Sequence, residues 1–335
     1  MLNNFKQVIA AAALAVSFGF ATDDASAQSR ITIGTNPQGS LYYTIGGGMA
    51  AALQERLKRQ VTVQPFTGSS VYLPLIAAGE LTLGLNSSID INDSYSGTGG
   101  KKPLDNLRVV ARLWPLRMAF IVRADSDMRS VADLKGKRTV TEFASLAAVS
   151  QVNVATLEAA GLSVDDVEPV TVSGLSTGLE ALTENQLDAT SAAIGIPMVQ
   201  QANAGIPGGI RYLTLEGDNA TKAFFDERLP GLYPMTVNAN PRMPEITDPV
   251  VVSAFDVYLT VGADTADEDV QAILGALYDA FPQVQKDYPP LRGGAQDMMS
   301  APTNTAPYHS GAVAYWKERG MWTDENDALE ASLAK

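Results

Sequence analysis

The sequence predicts an α/β protein of two similar α/β lobes with a hinged cleft between them. Three observations predict it. Short apolar runs alternate with helical patterns, which marks βαβ units and a largely parallel sheet. Gly68-Ser69-Ser70 leads through Leu75-Ile76 to Gly79-Glu80-Leu81, and Gly174-Leu175-Ser176 leads through Ala181-Leu182 to Asn185-Gln186-Leu187 with the same spacing. Two long apolar segments, Leu107 to Val122 and Val250 to Val261, are placed to cross between the lobes.

The elements follow in order. Arg30 to Gly34 reads as a strand. Ser40 to Gln60 reads as a helix with a Gly-rich first half and Met49, Leu53 and Leu57 on one face. Val61 to Phe66 is a second strand, Ser70 to Ala78 a short helix stopped by Gly79, and Leu81 to Leu85 a third strand. Leu107 to Val122, interrupted by Pro115, crosses to a second lobe that begins near Val131. The Pro-rich stretch from Asn238 to Pro249 reads as a connection, Val250 to Val261 crosses back, and helices from Asp267 to Lys286 and from Tyr308 to Arg319 finish the chain on the first lobe. The expected partition is residues 28–121 with 250–335 in lobe 1 and 122–249 in lobe 2. Two crossing segments make a hinge.

Composition narrows the function. The chain has 335 residues, no cysteine, a single histidine and a formal charge of −13. Thiolate metal sites and disulfides are excluded, and the acidic balance argues against nucleic-acid binding. At the amino terminus Lys6 precedes an apolar run from Val8 to Phe20 and then Ala25-Ser26-Ala27, the three-part pattern of a secretory signal peptide cleaved after Ala27. The run is shorter than the ~20 residues a membrane anchor needs. A periplasmic protein is expected.

The candidate ligand groups are uncharged donors at strand-to-helix turns. Gly34 to Tyr43 carries Thr35, Asn36, Gly39, Ser40, Leu41 and Tyr42 between a strand and a helix. Such a turn points backbone N–H groups at an anion, helped by the positive end of the helix dipole. Simple capping with close helix packing explains the same residues equally well. The phosphate-loop pattern Gly-x-x-x-x-Gly-Lys-Ser/Thr is absent. Ser69 and Ser70 open the next helix, Asn86 and Ser87 stand at the carboxyl end of the third strand, and Ser145 opens a helix in the second lobe. Ligands of open α/β sheets bind at those carboxyl ends. Arg112 and Arg117, flanking Trp114-Pro115, are each able to clamp a carboxylate if not spent on the surface.

In these residues the chain resembles a solute receptor of the TAXI type of TRAP transporters. The likeness is carried by Ile33-Gly34-Thr35 with Gly39 to Tyr43, Gly68-Ser69-Ser70-Val71 with Gly79-Glu80-Leu81, and Ala132 to Arg138. It continues through Gln186-Leu187-Asp188-Ala189 with Gly195-Ile196-Pro197, and Pro307 to Ala312 with Lys317 to Gly320. The resemblance implies a type II periplasmic-binding-protein fold. It implies capture of a small organic anion, such as glutamate or a dicarboxylate, and delivery to membrane permease subunits; separately, the residues give no cofactor or metal signal, and a monomer is expected. It carries ligand contacts onto Thr35, Ser40, Leu41, Tyr42, Ser70, Asn86 and Ser87. Where relatives often show a Gly-Ser-Gly-Thr-like turn, this chain has Thr141 to Ala147, with Glu142 and Phe143 added. That departure points to a different or less polar ligand, with Phe143 as a wall and Glu142 tuning it.

Two other functions compete. An enzyme on the same scaffold has hydroxyls in plenty and few bases. His309 beside Ser310 suggests Ser–His chemistry, yet adjacent helical residues do not face each other, so capping or packing is the expected role of His309. Asp90, Asn92 and Asp93 lack the spacing of a calcium loop. A receptor serving a sensor kinase is the other alternative.

Overall fold

β1 (Ile31–Thr35), α1 (Leu41–Leu57), β2 (Val61–Pro65), α2 (Ser69–Ala77) and β3 (Leu83–Ser87) alternate as the sequence predicts, and α3 (Ser88–Ser96) follows as a further helix. β4 (Leu107–Arg123) leads to a second alternating series: β5 (Arg138–Phe143), α4 (Ala147–Ala159), β6 (Glu168–Val172), α5 (Leu175–Thr183), β7 (Ala189–Ala193) and α6 (Pro197–Gly205). β8 (Ile210–Tyr212), α7 (Lys222–Arg228), β9 (Leu232–Val237), β10 (Val250–Gly262), α8 (Asp267–Asp287), α9 (Ser310–Glu318) and α10 (Asp324–Leu333) complete it. This computed structural model describes residues 30–98, 102–144, 146–241, 243 and 245–334. The expected signal peptide and Ser145 lie outside the described residues.

The strands form one ten-stranded mixed sheet in the order β2-β1-β3-β10-β4-β7-β5-β6, with β8 added on β4 and β9 on β10. The two series are arranged alike: β1 lies between β2 and β3, and β5 between β6 and β7, all parallel. β10 and β4 run antiparallel side by side and join the two halves. β10 pairs β3 at one end and β9 at the other, and β4 pairs β7 and β8. Both read as near-continuous apolar runs because they are covered along their lengths.

The internal repeat is a structural one. α2 and α5 each have nine residues and a glycine N-cap in extended conformation, Gly68 and Gly174. Each ends in a left-handed residue, Gly79 (φ 75°) and Asn185 (φ 58°). The bonds after them match: Gly79 N and Glu80 N donate to Ile76 O and Leu75 O, and Asn185 N and Gln186 N donate to Leu182 O and Ala181 O. Asparagine is the residue besides glycine that tolerates this conformation best.

The Gly-rich start of α1 is explained by packing. A Cβ on Gly46 would sit 2.8 Å from Thr35 Cγ2, and one on Gly48 would sit 2.2 Å from the Tyr288 ring. Hydrogen at these positions lets α1 lie close against β1 and the end of α8. α8 packs between α1 and α9, and Trp316 Nε1 of α9 donates to Val110 O of β4 at 2.9 Å. The chain therefore ends on the half that contains β1 to β3. Among the described residues no helix is long and apolar enough to cross a membrane.

Candidate ligand-binding site

β1 and β3 are adjacent, so their carboxyl ends bring the first set of expected residues together. Thr35 ends β1, fully buried, and its hydroxyl donates to Asn36 O at 3.0 Å. Gly39, at φ 83°, turns the chain into α1, and Ser40 caps that helix by accepting from Tyr43 N at 3.1 Å. Leu41 is half-buried on the core, and Tyr42 is buried edge-on to Trp114, with ring centroids 5.9 Å apart. Burial, and then the Asp90 carboxylate, hold the Tyr42 phenol well above its ordinary range, so it is neutral and able to donate. Asn86 is fully buried at the end of β3, where its Oδ1 accepts from Thr260 Oγ1 at 2.7 Å. Ser87 caps α3, accepting from Asp90 N at 3.0 Å and donating to Asp90 Oδ2 at 2.6 Å.

Among the described residues three buried polar atoms of these elements have no hydrogen-bond partner: Asn36 Oδ1, Asn86 Nδ2 and Trp114 Nε1. Asn86, Tyr258 and Arg112 form one cross-strand row of β3, β10 and β4, and Ser87, Val257 and Trp114 form the next, so Asn86 and Trp114 project from opposite faces of the sheet. An unpaired buried polar group costs about 1–3 kcal/mol; Asn86 Nδ2 and Trp114 Nε1 call for an acceptor, whereas Asn36 Oδ1 is itself an acceptor and calls for a donor.

The capping hydroxyls of Ser40 and Ser87 are largely occupied by their helices. Ser69 is buried at the start of α2, whereas Ser70 is exposed. The second half is placed differently. Glu142 is exposed and accepts from Thr171 Oγ1 at 3.2 Å, within its own half. Phe143 was expected as a ligand wall. Its ring is instead buried in the core, 3.5 Å from where a Cβ on Gly178 of α5 would stand, because β5 turns its side chain under that helix. Gly195, at φ 79°, makes the turn after β7, and Pro197 is exposed at the first position of α6. One bond that spans the two halves is Gln151 Nε2 of α4 to Asp93 Oδ2 of α3, at 2.9 Å.

The two arginines have opposite fates. Arg112 Nη2 meets Asp256 Oδ1 at 2.7 Å, and both are buried. Tyr233 and Thr303 hydroxyls donate to the same carboxylate at 2.7 Å each. Burial alone would lower the Arg112 pKa; Asp256 outweighs it and raises it. This network joins β4, β9, β10 and the segment before α9 where the two halves meet, and the sequence reading missed it. Its signal was a single Asp inside the apolar run of β10. Among the described residues Arg117 has no carboxylate partner, and burial lowers its pKa.

His309 caps α9. Its Nδ1 accepts from Gly311 N at 3.1 Å, its Nε2 lies 3.2 Å from Ala263 O, and Ser310 Oγ donates to Asp267 at 2.6 Å. The ring is spent on structure, as expected, and Ser310 faces a different partner. Among the described residues no cluster of three or more His, Asp or Glu is arranged to hold a metal ion. Two open cavities, of about 280 Å³ between α5 and α6 and about 300 Å³ beside Arg123 and Asp188, touch none of the expected ligand residues.

The sequence profile of the NMT1-like family matches residues 33–320. Among solved structures the chain is similar to a TctC solute-binding protein from Polaromonas, with TM-score 0.52 and 14% identity over 90% of this chain and 96% of that one. It is similar also to the periplasmic aliphatic sulphonate-binding protein SsuA from Escherichia coli, with TM-score 0.50 and 17% identity over 91% and 90% of the two chains. The fold is thus that of periplasmic solute-binding proteins.

Proposed function

The chain belongs to the NMT1-like family, and from that premise we propose that it is an extracytoplasmic solute receptor. It captures a small organic anion between two lobes, residues 28–121 with 250–335 and residues 122–249, and releases it unaltered to a membrane permease of the TRAP type. The fold shared with solute-binding proteins supports the receptor role. The TAXI-like sequence segments support the permease and a carboxylate such as glutamate or a dicarboxylate as ligand.

One observation carries the reading. Two unpartnered donors are buried here: Asn86 Nδ2 at the carboxyl end of β3, and Trp114 Nε1 of β4, whose ring meets the neutral Tyr42 phenol edge-on. A carboxylate is an acceptor with several lone pairs, and it satisfies such donors without a formal countercharge. These groups are buried rather than open to a cavity, so the ligand reaches them only when the halves swing apart about β4 and β10. Contacts made only in the closed form then shift the population toward it. Micromolar affinity corresponds to about 8 kcal/mol.

The test is a thermal-shift screen of organic acids on the mature protein, followed by ¹H NMR of the recovered ligand. A raised melting temperature with an unchanged ligand is expected. Chemical turnover of the ligand contradicts the receptor reading.

A further inference from the structure

The two crossing strands are related by an approximate dyad. β3 and β7 correspond residue by residue, Asn86 to Ala192 and Ser87 to Ala193, at the same offset that relates Gly68 to Gly174. Tyr258 and Val257 of β10 pair with Asn86 and Ser87, and Ala119 and Met118 of β4 pair with Ala192 and Ala193. Asp256 of β10 therefore corresponds to Arg117 of β4, and the pairs Asp256–Pro115 and Ala254–Arg117 are exchanged by the dyad, with Leu116–Phe255 at its centre. On one side the position holds a carboxylate that accepts three hydrogen bonds. On the other it holds a cation with no side-chain hydrogen bond among the described residues.

Arg117 is half-buried, and its backbone O accepts from Ile194 N at 2.9 Å, which fixes it beside the turn Ile194-Gly195-Ile196. By register it shares a face of the sheet with Ile121, Thr190 and Tyr212. A Cβ on Gly178 of α5 would stand 2.4 Å from Thr190 Oγ1, so α5, and α6 packed on it, cover that same face. The Tyr212 hydroxyl, close enough to act on Arg117, is buried and has no hydrogen-bond partner. The Glu245 carboxylate, whose Oε1 is also buried without a hydrogen-bond partner among the described residues, and the Gly195 backbone both act on that hydroxyl. α6 itself has no side-chain cap, because its N-cap is Ile196 and Pro197 follows.

We propose that Arg117, with the Tyr212 hydroxyl and the open N-terminus of α6, forms an anion-recognising subsite that contributes the second half's contacts to the bound ligand. This rests on the anion-receptor reading above and sharpens it: one half supplies neutral donors, and the other supplies a cation, Arg117, with the Glu245 carboxylate beside the Tyr212 hydroxyl limiting how many negative groups the subsite accepts. A ligand with an acidic group, carboxylate or sulfonate, is selected over its neutral isostere. The geometry also explains why a desolvated guanidinium is kept without a partner. It is a cost of the empty protein that the ligand removes.

The experiment compares wild type, Arg117→Met and Arg117→Lys by calorimetric titration and melting temperature, using L-glutamate, succinate and ethanesulfonate, with succinamide as the neutral control. Wild type is expected to bind at least one anion. Arg117→Met is expected to weaken that anion by about tenfold or more, with Arg117→Lys between the two because Lys keeps the charge and loses the fork. Without ligand, Arg117→Met is expected to melt at or above the wild-type temperature, since an uncompensated charge has gone. An anion bound equally by wild type and Arg117→Met overturns the subsite while leaving the receptor reading intact. A marked fall in the ligand-free melting temperature of Arg117→Met overturns it too, since the arginine is then structural. Binding of succinamide but of no anion overturns the anion reading of the whole cleft, and this subsite with it.

Discussion

The unit from β1 to β3 and the unit from β5 to β7 are near copies in backbone. They share strand order, the nine-residue helix after a glycine cap, and the bonds that close that helix. Their strand ends differ in chemistry. Where β3 ends in Asn86 and Ser87, β7 ends in Ala192 and Ala193. Where α1 and α3 are capped by Ser40 and Ser87, α4, α5 and α6 have no side-chain cap. Where β10 carries the bonded Asp256, β4 carries Arg117, which has no ion pair among the described residues. Backbone topology is thus duplicated while the polar groups are not. On the proposed reading, duplication sets the frame of a cleft, and divergence at the strand ends sets what it holds.

The largest effect is expected where the two arginines are contrasted directly. Arg112→Met strands the buried Asp256 and is expected to cost about 3–5 kcal/mol in denaturant unfolding, whereas Arg117→Met costs little or nothing. A loss below about 1 kcal/mol for Arg112→Met, the scale of an exposed pair, would remove the energetic distinction between the dyad-related positions.

A smaller effect is expected at Asn86. Asn86→Ala is expected to weaken binding of the anion found by the thermal-shift screen by about 1–3 kcal/mol, measured by calorimetric titration. Unchanged affinity would place the ligand away from β3. Ser70, being exposed, is a weaker test than Asn86 of the same neighbourhood.

The smallest effect tests the repeat itself. Asn185→Ala is expected to cost about 1–2 kcal/mol, because alanine is strained in the left-handed conformation, and Gly79→Ala should cost a similar amount. If either change were neutral in thermal unfolding, the matched turns would not be equivalent in energy.

Much of the architecture was legible in the sequence, for a physical reason. Strand runs such as Val61-Thr62-Val63, the stop at Gly79 and the long apolar segments are local signals, and the observed elements begin and end within a few residues of the expected ones. The repeat was readable because Gly and Asn are required where the chain turns left-handed. Side-chain fates were less legible, because they depend on partners distant in sequence. Arg112 and Arg117 look alike as residues. Only the return of β10 shows that one meets Asp256 and the other does not. Phe143 sits in a turn-like sequence, and only the position of α5 shows that its ring is core. Trp114 read simply as part of a strand. Its unpaired indole appears once Tyr42 and β3 are placed around it.

The chain has three tryptophans, which makes a direct test available. Trp316 Nε1 donates to Val110 O and Trp322 Nε1 to Asp327, while Trp114 Nε1 has no acceptor. In a ¹⁵N–¹H spectrum recorded while the stabilising organic acid is titrated in, the Trp114 indole resonance should move downfield as it gains a carboxylate acceptor, with the Trp316 resonance unmoved. A Trp114 resonance that stays fixed at saturating ligand would contradict capture by the buried donors of the first half.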